Sequence, residues 1–386
     1  MKKFLRSLGI MTLCVLLLFS FTACDLSVLD EIATGLGDIV NGILPPESTE
    51  APSAPATDDL KGPGVAYEGG DLQIHFLELG NKYTGDCTYI KAGETDILID
   101  AGSRVGSIAT ISAYIDQYVT DGILEYVIVT HAHQDHYAGF ATNENKDSLF
   151  DLYECGTIID FALTNQKADA AMYNNYLRER TEEIAAGAVH YTAAEIIAQE
   201  KAVITLSEGI TMEILDSAFY YETSPDENNY SVCTLFRQGE NAFLFTGDLE
   251  EEGEEELVKR NELPKVTLFK AGHHGSKTSS NECLLSVIRP EIVCVCCCAG
   301  SSEYTTTNAN QFPTQAFVDR VAKYTDRVYV TTLCVDYKAG TYTSMNGNIT
   351  VTSGKGGVKL FFSASDTKLK DTAWFQANRT CPDAWK

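Results

Sequence analysis

Residues 72–79 alternate apolar and polar side chains, with Leu72, Ile74 and Phe76 set against Gln73 and His75, the period of a half-buried strand. Short apolar runs at 88–90 and 96–100 follow, punctuated by Gly93 and Gly102, so the folded region opens as a strand meander. Residues 106–119 read as a helix. Residues 123–130 then read as a buried strand whose β-branched run, Val127, Ile128, Val129 and Thr130, stops at His131. Alanine-rich, alternately charged sequence from 165 to 200 predicts a helical insertion or a crossover helix pair. Strands are expected again at 202–206, 211–215, 231–236 and 242–245, then a helix at 250–260 and a strand at 265–270. The run 291–299 has the composition of a buried strand, and 327–332 and 347–352 are expected to close the second sheet. Two successive sets of strands and helices predict an α/β protein with two mixed sheets sandwiched between helical layers.

Ahead of this pattern stands a processing signal. Lys2, Lys3 and Arg6 precede an apolar run over 8–21, and Thr22, Ala23 and Cys24 close it in a way that resembles a bacterial lipobox. The expectation is a signal peptide at 1–23, a lipidated Cys24, and a membrane-anchored lipoprotein facing outside the bacterial cell. Residues 24–70, with Pro45, Pro46, Pro52, Pro55 and Pro63, cannot bury enough apolar surface to fold alone and read as a flexible tether. Within it, 26–43 carries a weak amphipathic pattern consistent with a short helix near the lipid. The catalytic domain is expected at 71–386.

Charge narrows the partners. The chain has 54 acidic against 29 basic side chains, a formal charge of −25 that repels polyanions at long range and disfavours a broad grip on nucleic acid. An anionic substrate would have to be held locally, by metal. No protein partner is indicated. Of the 12 cysteines, Cys294, Cys296, Cys297 and Cys298 fall within the buried run, where alternation sends neighbours to opposite faces, so they read as small core residues and not as a thiolate cluster.

The chemistry concentrates at 131–136. His131, His133, Asp135 and His136 fall directly after a strand, where a turn lets alternate side chains serve two neighbouring points: His131 and His133 for one metal ion, Asp135 and His136 for another. Imidazole with carboxylate suits zinc, manganese or iron. Five of the 7 histidines lie either here or at His273 and His274. His75, on the first strand, is assigned no role.

This spacing resembles the H-x-H-x-D-H signature of the metallo-β-lactamase fold superfamily, and further parts follow in order. Asp100 matches the structural aspartate beneath the metal site, Asp248 in Thr246-Gly247-Asp248 the metal-bridging aspartate, and 272–276 the closing histidine motif. The resemblance implies a sandwich of the αββα type, a metal-dependent hydrolase, and one or two divalent ions, zinc or manganese, activating water. Asp135 or Asp248 would hold and reorient that water. Strand alternation lets only one of His273 and His274 face the site; the sequence leaves the choice open, with His273 slightly preferred. The superfamily's third-motif histidine has one candidate, His190, in a stretch that reads as helical. Asn229, Tyr230 and Ser231 instead precede the strand leading to Asp248, which is similar to the metallohydrolase domain of ComEC-type competence proteins and their free-standing exported relatives. Asn229, Ser231, Ser276 and Lys277 are expected substrate contacts, each equally readable as a loop hydrogen-bonder. The implied function is a surface-anchored phosphodiesterase or nuclease. Alternatives are a phosphocholine-type esterase acting on an envelope polymer, and a non-catalytic envelope binding module stabilised by metal. The absent third histidine disfavours a β-lactamase.

Overall fold

In the computed structural model the described residues are 63–143, 145–167 and 169–386. The leader, Cys24, the amphipathic segment 26–43 and most of the tether therefore lie outside the described residues. Among the described residues no helix is long and apolar enough to cross a membrane.

The first strands are β1 (Leu72–Phe76), β2 (Thr88–Ala92), β3 (Thr95–Ile99), β4 (Ile123–Val129), β5 (Glu154–Asp160) and β6 (Val189–Thr192). A second series comprises β7 (Val203–Ser207), β8 (Ile210–Ile214), β9 (Thr234–Gln238), β10 (Asn241–Phe245), β11 (Leu268–Lys270), β12 (Ile292–Ala299), β13 (Val328–Asp336) and β14 (Thr341–Ser344). β15 (Ile349–Gly354) and β16 (Gly357–Phe362) complete the set. They form two eight-stranded mixed sheets, ordered β16-β15-β1-β2-β3-β4-β5-β6 and β14-β13-β12-β11-β10-β9-β8-β7. The α/β two-sheet class is thus the one expected from the pattern.

Alternation explains the layers. On β1, Leu72, Ile74 and Phe76 enter the core between the sheets, where Phe76 stacks on Phe245 at 6.1 Å, whereas His75 faces the opposite way. Its Nδ1 lies 2.9 Å from the Tyr114 hydroxyl, on the helix Ile108–Ile115 that covers the outer face. β10 is apolar on both sides because both are covered: Phe243 and Phe245 face the first sheet, while Ala242 and Leu244 join a second core with the helices Glu251–Arg260 and Glu282–Ile288. β12 behaves likewise, with Cys294 and Cys296 between the sheets and Cys297 on the other side.

Three expectations need correction. The tether does not run to residue 70: Val65 N donates to Asn241 Oδ1 at 2.7 Å, Tyr67 N to Gly354 O at 3.0 Å, and Gln238 Nε2 to Gly70 O at 2.6 Å. The segment 165–200 is not a purely helical insertion, because between the helices Ala171–Ala186 and Ala193–Ala198 the chain lays down β6, a parallel edge strand beside β5. Residues 347–352 close the first sheet and not the second, since β15 pairs antiparallel with β1. Strand pairing over such separations overrides local composition.

Candidate metal centre

The centre is built where parallel strands end. Asp100 follows β3 in a left-handed conformation (φ 59°) that its short polar side chain tolerates. From there its carboxylate accepts Thr130 N at 2.8 Å and Thr130 Oγ1 at 2.8 Å, pinning the end of β4. Its Oδ2 also faces His136 Nδ1 at 2.7 Å, so that in the neutral ring the proton sits on Nδ1 and Nε2 carries the lone pair. His136 Nε2 is buried, has no hydrogen-bond partner, and lies 3.2 Å from Asp248 Oδ2.

Asp248 arrives from β10 through Gly247. At that glycine, with φ 54°, a Cβ would sit 2.8 Å from Ser231 Oγ and 2.9 Å from Thr130 Cβ, so only glycine lets the turn close. β11 then leads into Gly272–Gly275, where His273 (φ 47°) and His274 (φ 55°) are both left-handed. Two such residues in succession cost roughly 1–2 kcal/mol each and are retained where the packing imposes them. The turn drives His274 inward. Its Nδ1 faces Cys296 O at 2.9 Å and Asp86 Oδ1 at 3.1 Å, both acceptors, so Nε2 is again the free nitrogen, 3.3 Å from Asp248 Oδ2 and 3.5 Å from Asp135 Oδ2. His273 instead sits on the rim, 22% exposed, with Nδ1 3.2 Å from Glu250 Oε1. The slight preference for His273 is therefore corrected. Both residues leave strand geometry, so alternation does not apply to them.

His131 is fully buried, with Nδ1 3.1 Å from Thr130 Oγ1 and Nε2 3.0 Å from His133 Nδ1. Among the described residues the sets His131-His136-Asp248, Asp135-His136-His274, Asp86-Asp248-His274 and Asp86-Asp100-His136 each bring ligand atoms within 4.8 Å of one another. The four sets interlock; none pairs His131 with His133, which lines the cleft instead, and none contains His190. That histidine is half-buried on β6, bonded to Asp160 Oδ1 at 2.8 Å, and not on a helix as its surroundings suggested.

Two residues in the centre escaped the sequence reading. Asp86 is buried between Lys270, with which it forms an ion pair, and His274. Lys270 is itself 4% exposed and 4.0 Å from Asp248 Oδ1, so an internal ammonium sits among the carboxylates. Burial alone would raise the carboxyl pKa of Asp86, but Lys270 and His274 hold it below the usual range. Burial likewise opposes ionisation of Asp248, and His136, His274 and His273 outweigh it. The converse applies to His136, whose pKa burial lowers and Asp248 and Asp100 raise further. A lysine ending an apolar strand beside paired histidines was the available signal for Lys270.

Three of the four expected substrate contacts turn inward instead. Ser231 Oγ accepts Asp248 N at 3.1 Å, and Asn229 Oδ1 accepts Glu250 N at 3.2 Å, so both support the centre from beneath. Ser276 is buried in its own loop, 2.9 Å from Thr278 Oγ1, and Lys277 faces solvent outside the cleft. The cleft over the centre, about 600 Å³, is lined by Arg104, His133, Asp135, Asp248, Glu303 and Tyr304 together with Asn228 and Tyr337. Of these, Asp135 accepts the Tyr304 hydroxyl at 2.6 Å.

Glu254 holds the loop after His274. Its carboxylate accepts Ser280 N at 2.5 Å and Asn281 N at 2.8 Å from within a fully buried position, and burial pushes its pKa from 4.5 up to about 7. The folded chain thus binds this proton more tightly than the unfolded one, and the contribution to stability falls as pH rises from 4.5 to about 7. Urea unfolding across that window is expected to show wild type losing stability relative to Glu254→Gln; parallel profiles would contradict it.

A family model described as the metallo-beta-lactamase superfamily matches residues 80–142. Recombination protein 2 of Haemophilus influenzae is 27% identical over 259 residues, covering 66% of this chain and 27% of that protein. ComE operon protein 3 of Bacillus subtilis is 33% identical over 95 residues, covering 23% of this chain and 12% of that protein. This chain therefore spans a minor part of the length of both relatives. Among solved structures, the metallo-beta-lactamase fold protein YhfI from Bacillus subtilis aligns with a TM-score of 0.31 at 13% identity, covering 52% of this chain and 71% of that one.

Proposed function

Because this chain carries a metallo-β-lactamase superfamily domain similar to part of ComEC-type competence proteins, we propose that it is a metal-dependent hydrolase of phosphodiester bonds. The supporting observation is the pair of unpartnered buried nitrogens, His136 Nε2 and His274 Nε2, converging on Asp248 with their other ring nitrogens already committed. Unpaired polar atoms in a core are costly, and a divalent cation satisfies all of them at once. His131, His136, His274, Asp135, Asp248 and Asp86 are the residues that would hold it, and imidazole with carboxylate suits zinc or manganese. When bound, such an ion supplies Lewis acidity that polarises a phosphoryl oxygen and brings a water pKa toward neutrality.

The chain's own residues do the rest. Asp100 keeps His136 in one tautomer and orientation, and the Cys296 carbonyl does the same for His274. Asp135, on the cleft wall, is positioned to accept a proton from an attacking water, with Tyr304 orienting its Oδ2. Arg104 lines the mouth of the cleft but is paired with Glu303 at 2.8 Å, so an anionic diester would be held by the centre itself despite the chain's charge of −25.

Purified protein with Mn²⁺ or Zn²⁺ is expected to cleave bis(p-nitrophenyl) phosphate and to stop on chelation. No turnover with either metal would remove the hydrolase reading and leave a metal-stabilised binding module. Lipid attachment at Cys24, holding the domain outside the cell, belongs to the same proposal. Mass spectrometry of the mature N-terminus is expected to find a diacylglyceryl-modified Cys24, and an unmodified cysteine would contradict it.

A further inference from the structure

Cys298 and Cys334 stand apart from the cysteines that fill the interior. β12 and β13 run parallel, with Cys298 beside Thr332 and Ala299 beside Leu333, so Cys298 and Cys334 share one face of the sheet, two positions out of step. The ladder slips between Val295 and Cys298, which shifts Cys298 out of the regular pattern. Cys298 is 1% exposed yet joins neither apolar core, whereas Cys294, Cys296 and Cys297 do. What it meets instead is Cys334, with its S–H donated toward the Cys334 sulfur. Cys334 is the outer partner, half-buried near the end of β13, with Lys82 and Glu303 close by. Both neighbours belong to the wall of the cleft. Glu303 pairs with Arg104 and accepts Thr84 N at 2.9 Å, Thr84 Oγ1 accepts Cys298 N at 3.4 Å, and Lys82 Nζ lies 4.3 Å from the centre of the Tyr337 ring.

We propose that Cys334 and Cys298 are a redox-active pair that closes into a disulfide by exchange with a protein or small-molecule disulfide, stapling β12 to β13 at the wall of the cleft. The proposal goes beyond the hydrolase reading and does not depend on it. Exposure and hydrogen bonding assign the roles. The attacking species in exchange is a thiolate. Burial disfavours that form at Cys334, and Asp336 and Glu303 add to the effect, but the Cys298 S–H and the Lys82 ammonium act against them. Cys334 is also the thiol that an incoming disulfide can reach. Its thiolate attacks one sulfur of that disulfide, and the other sulfur leaves as a thiolate. Cys298 then gives its proton to solvent and attacks the Cys334 sulfur of the mixed disulfide, expelling the second thiolate. In sum, two protein thiols lose two electrons and two protons, and the incoming disulfide is reduced to two thiols. The ring so closed contains Glu303 and Tyr304, so the oxidised chain holds this wall by a covalent bond as well as by the Glu303–Arg104 pair. An exported domain meets such disulfides, whereas the cytosol keeps thiols reduced.

The test exposes the purified, fully reduced chain to oxidised glutathione with EDTA present, blocks remaining thiols, and maps the digested protein by mass spectrometry. Wild type is expected to yield a peptide pair joined through Cys298 and Cys334, with no glutathione left on either, and a phosphine reductant should reverse it. Cys298→Ser, which lacks the resolving thiol, should retain one glutathione on Cys334. Cys334→Ser should leave Cys298 unmodified, because that thiol is buried. Oxidised wild type should melt a few degrees above the reduced chain, a gain that Cys334→Ser should not show. The wild-type map stands whether or not either variant folds. Thiols at both positions after oxidation, glutathione persisting on Cys334 of wild type, pairing of either cysteine with another, or identical melting of oxidised and reduced wild type would overturn the proposal.

Discussion

Asp248→Ala is expected to abolish phosphodiester hydrolysis while leaving a folded protein. The Asp248 carboxylate faces both free nitrogens, at 3.2 Å from His136 and 3.3 Å from His274, and it also lies 3.8 Å from His273. Removing it separates the interlocked ligand sets, two of which contain it. The loss in kcat/KM should exceed the roughly 10–100-fold typical of an outer-shell partner. Asp100→Asn supplies that comparison, since it keeps the volume but disturbs the bond that sets the His136 tautomer. Far-ultraviolet circular dichroism of Asp248→Ala should match wild type. Equal losses for the two variants would mean that Asp248 is no more than a second support for His136.

Lys270→Met should have the largest effect on stability. A buried ion pair stripped of one partner costs about 3–5 kcal/mol, because the remaining charge is left in the interior. Here the orphan would be Asp86, buried and already close to Asp248 and His274. The variant should melt well below wild type without metal, and added Mn²⁺ should recover more of the loss than it adds to wild type. A divalent ion can neutralise the carboxylates that the ammonium had been serving. An unchanged melting temperature would show that Lys270 does not stabilise the centre.

Much of the candidate centre was visible in the sequence because its residues cluster. His131, Asp135 and His136 fall within six residues after a β-branched strand, and Asp248 and His274 also follow strand ends, whereas His133, from the same cluster, joins none of the ligand sets. Each is local sequence in an interpretable context. Asp86 and Lys270 were harder, since an aspartate before β2 and a lysine closing β11 gain meaning only when strand pairing brings them together. The same holds for Lys82, Arg104, Tyr304 and Tyr337, which form no run in sequence and meet only at the cleft. Backbone conformation was invisible too: nothing in the residue types announces left-handed angles at His273 and His274, and these decide which imidazole turns inward. For the fold, the alternating strands were legible, whereas β6 was masked by the alanine- and glutamate-rich sequence around it. The return of β15 to the first sheet depends on a partner, β1, far away in sequence.

The most direct test is the metal content of the purified chain after loading with Mn²⁺ or Zn²⁺ and removal of excess ion, determined by mass spectrometry for wild type and for His136→Ala combined with His274→Ala. Wild type should retain a stoichiometric divalent ion and the double variant should retain none while keeping its circular dichroism. Retention of the ion by the double variant, or its absence from wild type, would contradict the centre assigned to these residues.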